Sequence, residues 1–194
     1  MNYLAHLHIA DVTKTSATGN LLGDFVKGRV QNLPYEQAIK DGVRLHRAVD
    51  SFTDKHPPVH ELKSELGSLR RYGGIILDVL FDHHLALNFE HFHSDSLANF
   101  ANDIYLRIDG EQPEYPERFQ LVCQRMRQMD WLTSYRDIKN IEQALVGISR
   151  RLSRPVDLTE CLDWHQTVKS EFKTSFLQFY TELLVYSQDF ASAN

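Results

Sequence analysis

The chain has 194 residues, 42% of them hydrophobic and 11% aromatic, which suffices for one domain with a buried core and excludes an intrinsically disordered protein. Its 21 basic and 26 acidic residues give a net charge of −5, which argues against a general nucleic-acid binder. No segment approaches the roughly 20 apolar residues of a membrane helix, and no basic region of a secretory signal opens the chain, so we expect a cytoplasmic protein without a membrane partner.

The first thirty residues favour two short helices. Residues 1–10 alternate apolar side chains with two histidines, a pattern that suits a strand or a helix, and the helical context of the chain favours a helix. Residues 19–30 are predicted to form a second helix, with Thr18 or Asn20 as its N-cap.

The middle of the chain predicts two longer helices. Residues 35–53 form an amphipathic helix that starts after Pro34, and the pair Pro57 and Pro58 stops any continuation. Residues 69–89 are apolar around almost the whole circumference of a helix. A helix of that kind lies in the middle of a bundle, packed on several sides.

The C-terminal half continues the helical pattern. Four further helices are expected, over residues 95–109, 116–129, 138–152 and 168–190. The chain has no internal repeat, low-complexity tract or linker. We therefore predict a single all-α domain over residues 1–194, folded as a helical bundle.

Polar side chains interrupt the apolar stripes of the two middle helices. They are His46 and Asp50 on the first helix, and Asp78 and Asp82 on the second. Burying an ionised carboxylate without a partner is very costly, and the i,i+4 spacing aims both members of each pair in one direction. A divalent metal between the helices would compensate them, with Asp24 as a third carboxylate in an apolar setting. Structural ion pairs, helix caps and a hydrogen-bonded core histidine are the alternative.

Three residues beside this cluster extend it. His83 follows Asp82 and is a further candidate ligand, whereas His6 either reaches the centre or lines the core. Arg47 follows His46 and could reach a phosphate beside the metal, because a guanidinium forks onto phosphate oxygens.

Two other histidine patterns predict no site. His56 and His60 have a zinc-like spacing, but Pro57 and Pro58 lie between them and forbid the helix that such a motif needs. Residues 90–93 contain one Glu-x-x-His step, whereas di-iron bundles need two. We expect no metal site at His56 and His60, and we expect residues 90–93 to be ordinary surface.

Arginine patches stand out in this acidic chain. They comprise Arg70 and Arg71 in the middle, and Arg150, Arg151 and Arg154 near the C-terminus. Each patch alone suits a solvated helix end, but together they suit an acidic macromolecular partner.

The polar residues belong to a set of five motifs. These are Asn2-Tyr3-Leu4-Ala5-His6-Leu7-His8, Gly19-Asn20-Leu21-Leu22-Gly23-Asp24-Phe25, His46-Arg47-x-x-Asp50-x-x-Thr53-Asp54, Asp78-x-x-x-Asp82-His83 and Trp131-Leu132-x-x-Tyr135-Arg136-Asp137. The set resembles the bacterial acyl carrier protein phosphodiesterases, also called carrier-protein hydrolases, and the likeness covers essentially the whole chain.

The resemblance implies an activity and a cofactor. Enzymes of that family hydrolyse the phosphodiester that joins 4'-phosphopantetheine to a serine of holo-acyl carrier protein, and they release apo-acyl carrier protein and 4'-phosphopantetheine. They use a divalent cation, with Mn2+ favoured. The candidate ligands of this chain also suit Mg2+, Fe2+ or Zn2+. The family is regarded as a divergent branch of the all-helical HD phosphohydrolases, whose adjacent His-Asp pair is here reversed, as Asp82-His83.

The resemblance and the cluster together assign roles. The expected metal ligands are Asp24, His46, Asp78 and Asp82. The expected catalytic residues are Arg47, which neutralises charge on the phosphoryl oxygens, and His6, Asp50 or His83, one of which protonates the leaving serine oxygen. The expected docking residues for the acidic carrier protein are Arg70, Arg71, Arg150, Arg151 and Arg154.

Two other functions remain open at this point. One is an HD-type metal phosphohydrolase that acts on a nucleotide or a small phosphate ester with the same centre. The other is a non-enzymatic helical binding module whose Asp and His residues form buried ion pairs.

Overall fold

The computed structural model describes residues 1–110 and 112–193, and these contain helices but no strand. The α-helices are α1 Tyr3–Val12, α2 Ala17–Leu22, α3 Gln37–Lys55, α4 Pro57–Glu65, α5 Gly73–Leu87, α6 Phe89–Phe92, α7 Leu97–Arg107, α8 Glu117–Gln128, α9 Trp131–Ser134, α10 Ile138–Ser149, α11 Cys161–Thr167 and α12 Lys169–Ala193. Short 3₁₀ helices cover Val30–Asn32, Gly67–Tyr72 and Leu158–Glu160. The predicted all-α class is confirmed, and every helix in the described residues is too short or too polar to cross a bilayer.

Two helices form the centre of the bundle. Seven consecutive residues of α1, from Leu4 to Ala10, are buried, and so are eleven of the fifteen residues of α5. Helices α1, α4, α10 and α12 pack against α5, while α2 and α12 pack against α3. The prediction that the apolar helix after residue 69 lies in the middle is therefore confirmed, although it is divided into a 3₁₀ turn, α5 and α6.

Helices α2 and α3 cross at a pair of glycines. A Cβ atom added to Gly42 would lie 2.8 Å from the backbone nitrogen of Asn20, and one added to Gly19 would overlap the carbonyl oxygen of Ile39. Only glycine allows so close an approach of two backbones. This crossing brings the end of α2 alongside the middle of α3.

The predicted helix over residues 19–30 is wrong in its bounds. Helix α2 starts after Ser16, whose Oγ accepts a hydrogen bond from the backbone of Gly19 at 3.0 Å, so neither Thr18 nor Asn20 is its cap. It ends at Leu22, and residues 23–29 form a loop. Contacts of that loop with α3 outweigh the local helical pattern.

The paired prolines begin a helix that the sequence analysis excluded. Pro57 and Pro58 occupy the first turn of α4. Backbone N–H groups there have no acceptor within the helix, so proline, which lacks an N–H, breaks no helical hydrogen bond. His56 precedes this helix, and its Nε2 lies 2.9 Å from Glu182 Oε2, while His60 is exposed. The two histidines therefore share no site, but the reason given from the sequence was wrong.

Candidate active site

Three elements bring their polar side chains to one place. Helix α1 supplies His6, α3 supplies His46 and Asp50, and the loop after α2 supplies Asp24. The i,i+4 spacing on α3 puts His46 and Asp50 on the same face, as the sequence predicted.

Asp50 is the common partner of two imidazoles. His6 Nε2 lies 3.2 Å from Asp50 Oδ1, and His46 Nε2 lies 3.1 Å from Asp50 Oδ2. The two rings stack with centroids 3.9 Å apart. Asp24 Oδ1 lies 3.5 Å from His46 Nε2, so the second carboxylate approaches the same nitrogen. We call His6, His46 and Asp50 the triad.

Gly23 fixes the position of His46. A Cβ atom at residue 23 would lie 2.8 Å from His46 Cβ and still closer to the imidazole ring. The ring therefore lies directly against the backbone of the loop that carries Asp24. The sequence analysis quoted Gly23 within a motif but did not assign it this role.

The charges of the triad shift its pKa values in opposite directions. Burial by itself lowers the pKa of His46, but its hydrogen bonds to the carboxylates of Asp24 and Asp50 outweigh burial and raise the pKa to about 9. Burial and the neighbouring His46 lower the pKa of His6 to about 4. Burial would raise the pKa of the Asp50 carboxyl, yet its bonds to His46 and His6 hold it well below its usual range.

The donor atoms of the triad fit a divalent cation. One ligand atom from each of His6, His46 and Asp50 lies within 4.8 Å of the others, and this is the only such group of three among residues 1–110 and 112–193. The Nδ1 atoms of both histidines are buried and have no hydrogen-bond partner among the described residues. Two imidazoles and one carboxylate suit Mn2+, Fe2+ and Zn2+.

Asp78 reaches the edge of the triad through the amino group of Met1. That nitrogen lies 2.8 Å from Asp78 Oδ1 and 3.5 Å from Asp50 Oδ1. Burial lowers the pKa of the amino group, but Asp78 and Asp50 raise it to about 10. In this arrangement the partner of Asp78 is an ammonium group and not an imidazole.

Asp82 is fully buried behind Asp78 and binds backbone. Its Oδ2 accepts a hydrogen bond from the Leu4 N–H at 2.7 Å, and its Oδ1 accepts one from the Ala5 N–H at 3.2 Å. Burial raises the pKa of this carboxyl to about 7, although the two hydrogen bonds act to lower it. Asp82 thereby caps the first turn of α1, one residue before His6, which is the alternative role that the sequence analysis left open for these carboxylates.

His83 lies outside the triad. Its Nδ1 is 2.7 Å from the carbonyl oxygen of Tyr135, and its ring neighbours are His84 and His165. Within the described part of the chain, no hydrogen bond or ion pair joins it to the triad.

Arg47 holds the loop that contains Asp24. Its guanidinium donates to the carbonyl oxygens of Gly28 at 2.6 Å and Val26 at 3.0 Å. These bonds occupy the face that the sequence analysis expected to contact phosphate. Arg47 therefore orders the loop beside its neighbour His46.

Two arginines lie near the site. The sequence analysis missed Arg118 and predicted Arg151. Arg118 lies with Cζ 5.9 Å from the centre of the Phe25 ring, next to Asp24 along the chain. Arg118 and Arg151 both lie close enough to Tyr3 to oppose the rise in its pKa, which burial and Asp24 cause. The nearness of Arg118 depends on the packing of α8 against the loop after α2, and the sequence carries no local signal for it.

The other predicted docking arginines are exposed. Arg70 and Arg71 lie in the 3₁₀ turn before α5, and Arg150 and Arg154 lie at and beyond the end of α10. Among the described residues, no hydrogen bond or ion pair joins them to the triad, and their docking role stays a prediction.

Comparisons with known proteins agree on one family. The sequence profile of the acyl carrier protein phosphodiesterases matches residues 1–183. An acyl carrier protein phosphodiesterase of Photorhabdus laumondii is 34% identical over 186 residues, which are 95% of this chain and 93% of the relative. Proteins of the same name from Serratia proteamaculans and Escherichia coli O157:H7 are 34% and 33% identical over 191 and 189 residues, covering 97% and 95% of this chain and 98% and 96% of the relatives. No solved structure matches the chain, so the relation to the HD phosphohydrolases stays a prediction.

Proposed function

This chain belongs to the acyl carrier protein phosphodiesterase family, and we propose that it hydrolyses the phosphodiester between 4'-phosphopantetheine and a serine of holo-acyl carrier protein. The products are apo-acyl carrier protein and 4'-phosphopantetheine. The observation that carries the proposal is the family match over residues 1–183, because it includes every residue of the triad and both neighbouring carboxylates.

The triad is the proposed metal site. His6, His46 and Asp50 offer two nitrogens and one carboxylate, a donor set that accepts Mn2+, the ion implied by the resemblance, as well as Fe2+ or Zn2+. A bound ion supplies Lewis acidity, which makes water a better nucleophile and stabilises negative charge on a phosphoryl group. This assignment moves His6 and Asp50 from acid catalysis to metal binding and leaves Asp82 with a structural role.

The open side of the site is where we place substrate and water. The side chains of Asp24 and Asp78 are 46% and 38% exposed, whereas those of His6 and His46 are almost completely buried. Asp24, which lies 3.5 Å from His46 Nε2, can orient the attacking water and accept its proton. Asp78 keeps its charge balanced by the Met1 amino group and borders the same opening.

Arginines beside this opening are proposed to bind the anionic substrate. Arg118 and Arg151 are exposed, lie close to Tyr3, and have no carboxylate partner among the described residues. A guanidinium pairs well with phosphate oxygens and with the carboxylates of an acidic protein. Arg70, Arg71, Arg150 and Arg154 extend the proposed docking surface for the carrier protein.

The deciding experiment weighs the carrier protein. Purified protein is incubated with holo-acyl carrier protein and Mn2+, with a chelator in a parallel sample, and the carrier protein is analysed by mass spectrometry. Loss of the 4'-phosphopantetheine mass only with metal is the expected result, and D50A protein should cause no loss. An unchanged carrier protein, combined with hydrolysis of a simple phosphodiester, would instead identify a small-molecule phosphohydrolase.

A further inference from the structure

Two aromatic side chains lie beside the opening of the triad. Tyr3 stacks on Trp131, the first residue of α9, with ring centroids 6.1 Å apart and planes inclined by 19°. Tyr3 precedes His6 by three residues on α1, a spacing that puts both side chains on one face of the helix. Burial and then the charge of Asp24 raise the pKa of Tyr3 to about 12, which places its hydroxyl near the exposed carboxylate of the site. The pair therefore borders the opening, although neither ring belongs to the triad.

The polar atoms of this aromatic pair are not used by the fold. Both residues are partly exposed, and neither the Tyr3 hydroxyl nor the Trp131 indole N–H has a hydrogen-bond partner among the described residues. By contrast, the buried hydroxyl of Tyr135, four residues after Trp131, accepts a hydrogen bond from the Asn2 side chain at 3.2 Å. That bond ties the start of α1 to the end of α9. The pair therefore presents two unused donors beside two aromatic faces.

The backbone that carries Trp131 is fixed in advance. Its preceding residue, Asp130, has a left-handed backbone with a φ of 45°, which is uncommon for a residue other than glycine. The hydroxyl of Tyr105 stabilises this turn, because it donates to Asp130 Oδ1 at 3.0 Å and accepts from the Leu132 N–H at 2.9 Å. Backbone of this kind persists where the surrounding structure fixes it, and it is concentrated at binding sites. A prepared indole reduces the entropy that binding costs.

We propose that Tyr3 and Trp131 bind the pantetheine arm of the substrate, an inference that rests on the proposed hydrolysis of holo-acyl carrier protein. With the phosphoryl group at the triad, one ester oxygen leads to the carrier protein and the other leads to the arm. The arm is uncharged, and its two methyl groups and two amide planes suit aromatic faces. Its carbonyl oxygens accept hydrogen bonds from a hydroxyl and from an indole N–H.

Charge distinguishes the two directions. Arg118 and Arg151 are exposed near Tyr3, and guanidinium groups pair with the carboxylates of an acidic carrier protein. The two aromatic rings offer such a protein no charge, whereas they offer a neutral arm contact area and two donors. The aromatic pair would then select a phosphodiester that carries the arm over one that does not.

The first test follows the fluorescence of Trp131 alone. The chain has two tryptophans, so W164F protein reports on Trp131, and phenylalanine keeps an aromatic contact with Phe172, whose ring centroid lies 5.9 Å from that of Trp164. Mn2+-loaded W164F protein is titrated with 4'-phosphopantetheine, with pantetheine, which lacks the phosphate, and with inorganic phosphate. The first two should change the emission of Trp131 in a saturable manner, and inorganic phosphate should leave it unchanged.

The second test removes the donors and keeps the rings. Calorimetry measures the Kd of 4'-phosphopantetheine for the wild type, Y3F and W131F. Each variant loses one hydrogen bond to the arm and should bind about three- to tenfold more weakly, with the Kd of inorganic phosphate unchanged within about twofold. Y186F is the matched control, because Tyr186 is also partly exposed and stacks on a neighbour, Phe52, with ring centroids 4.5 Å apart. It should bind as the wild type does.

Equal Kd values for the wild type, Y3F and W131F would overturn the assignment, and so would the absence of 4'-phosphopantetheine binding. An emission of Trp131 that responds to inorganic phosphate as it does to 4'-phosphopantetheine would overturn it as well. Mass spectrometry of the carrier protein judges the hydrolysis separately. Hydrolysis combined with equal Kd values would refute only the arm site, whereas arm binding that depends on both donors, without hydrolysis, would support the arm site and refute the proposed function.

Discussion

His6 and His46 stack face to face, with ring centroids 3.9 Å apart, and both direct Nε2 to the carboxylate of Asp50. Two imidazolium rings would repel each other in this position. The pKa of His6, about 4, and that of His46, about 9, show how the conflict is resolved, because near neutral pH only His46 carries a charge. The metal-free site is therefore held by one imidazolium between two carboxylates.

This charge predicts how stability depends on pH without metal. The pKa of His46 is raised from 6.5 to about 9 on folding, so its contribution is complete below pH 6.5 and is lost as the pH rises through 9. The shift corresponds to roughly 3 kcal/mol. Urea unfolding of chelator-treated protein at pH 6, 7.5 and 9.5 measures it. H46Q should decline less than the wild type, keeping only the loss above pH 8 that the raised pKa of the Met1 amino group causes. A wild-type decline no larger than that of H46Q contradicts the prediction.

Substitution of Gly23 by alanine should move His46. The added Cβ would overlap the imidazole ring, so the ring must rotate away from Asp24 and Asp50. We expect kcat/KM for holo-acyl carrier protein to fall by about a hundredfold, because the loss of a contact that orients a metal ligand lowers activity by up to about this factor. Gly147→Ala on α10 is the matched control, because its Cβ would meet no atom of the described residues within 4 Å, and its activity should be unchanged.

Asp50 should be required for metal binding. D50A removes the carboxylate shared by both imidazoles. We expect the triad to lose its bound metal and kcat to fall at least about a hundredfold. D54A changes an exposed carboxylate one turn later on α3, which pairs with Lys63, and should retain both within about twofold. Elemental analysis after dialysis and steady-state kinetics give the two readouts. A D50A protein with full metal content would remove Asp50 from the ligand set.

Substrate capture should depend on Arg118 and Arg151. R118A and R151A should each raise KM for holo-acyl carrier protein about three- to tenfold with little change in kcat, because they remove a charge beside the opening and leave the triad intact. K55A removes an exposed cation at the end of α3, which is not part of the proposed docking surface, and should behave as wild type. Added salt should raise the wild-type KM and have less effect on R118A/R151A. Equal KM values in all variants would locate docking elsewhere.

Asp82 should be important for stability. D82A leaves the buried N–H groups of Leu4 and Ala5 without acceptors, which costs on the order of 2–3 kcal/mol. S16A removes the N-cap of α2, which costs about 1 kcal/mol of stability. It is the reference with which the loss in D82A is compared. Chemical unfolding at pH 7 compares the two. A loss in D82A no greater than in S16A would show that water replaces the carboxylate.

The sequence predicted the helices and the polar centre because both depend on periodicity. Apolar spacing located α3, α5, α7, α8, α10 and α12, and the i,i+4 step placed His46 and Asp50 on one buried face. The same rule could not tell which buried carboxylate meets an imidazole. Asp82 and Asp50 look equivalent on their helices, yet one faces the backbone of α1 and the other faces two rings.

The errors also have physical reasons. Pro57 and Pro58 were taken as a stop signal, but the same pair is compatible with a first helical turn, and sequence alone does not say which side of a proline is helical. Arg47 was assigned to phosphate because of its neighbour His46, and that role stays a prediction. Its bonds to two carbonyl oxygens could not be foreseen, because the path of the loop that carries them is set by tertiary contacts.

The enclosure of α1 has a consequence for the synthesis of the protein. Its Leu4 binds Asp82, 78 positions later, and its His8 contacts Tyr180, 172 positions later. A ribosome adds about 5–20 residues per second, so α1 waits roughly 10–30 s for its last partner. During that interval its apolar side chains are available to chaperones, and a truncated chain that ends before Tyr180 leaves them uncovered for its whole lifetime.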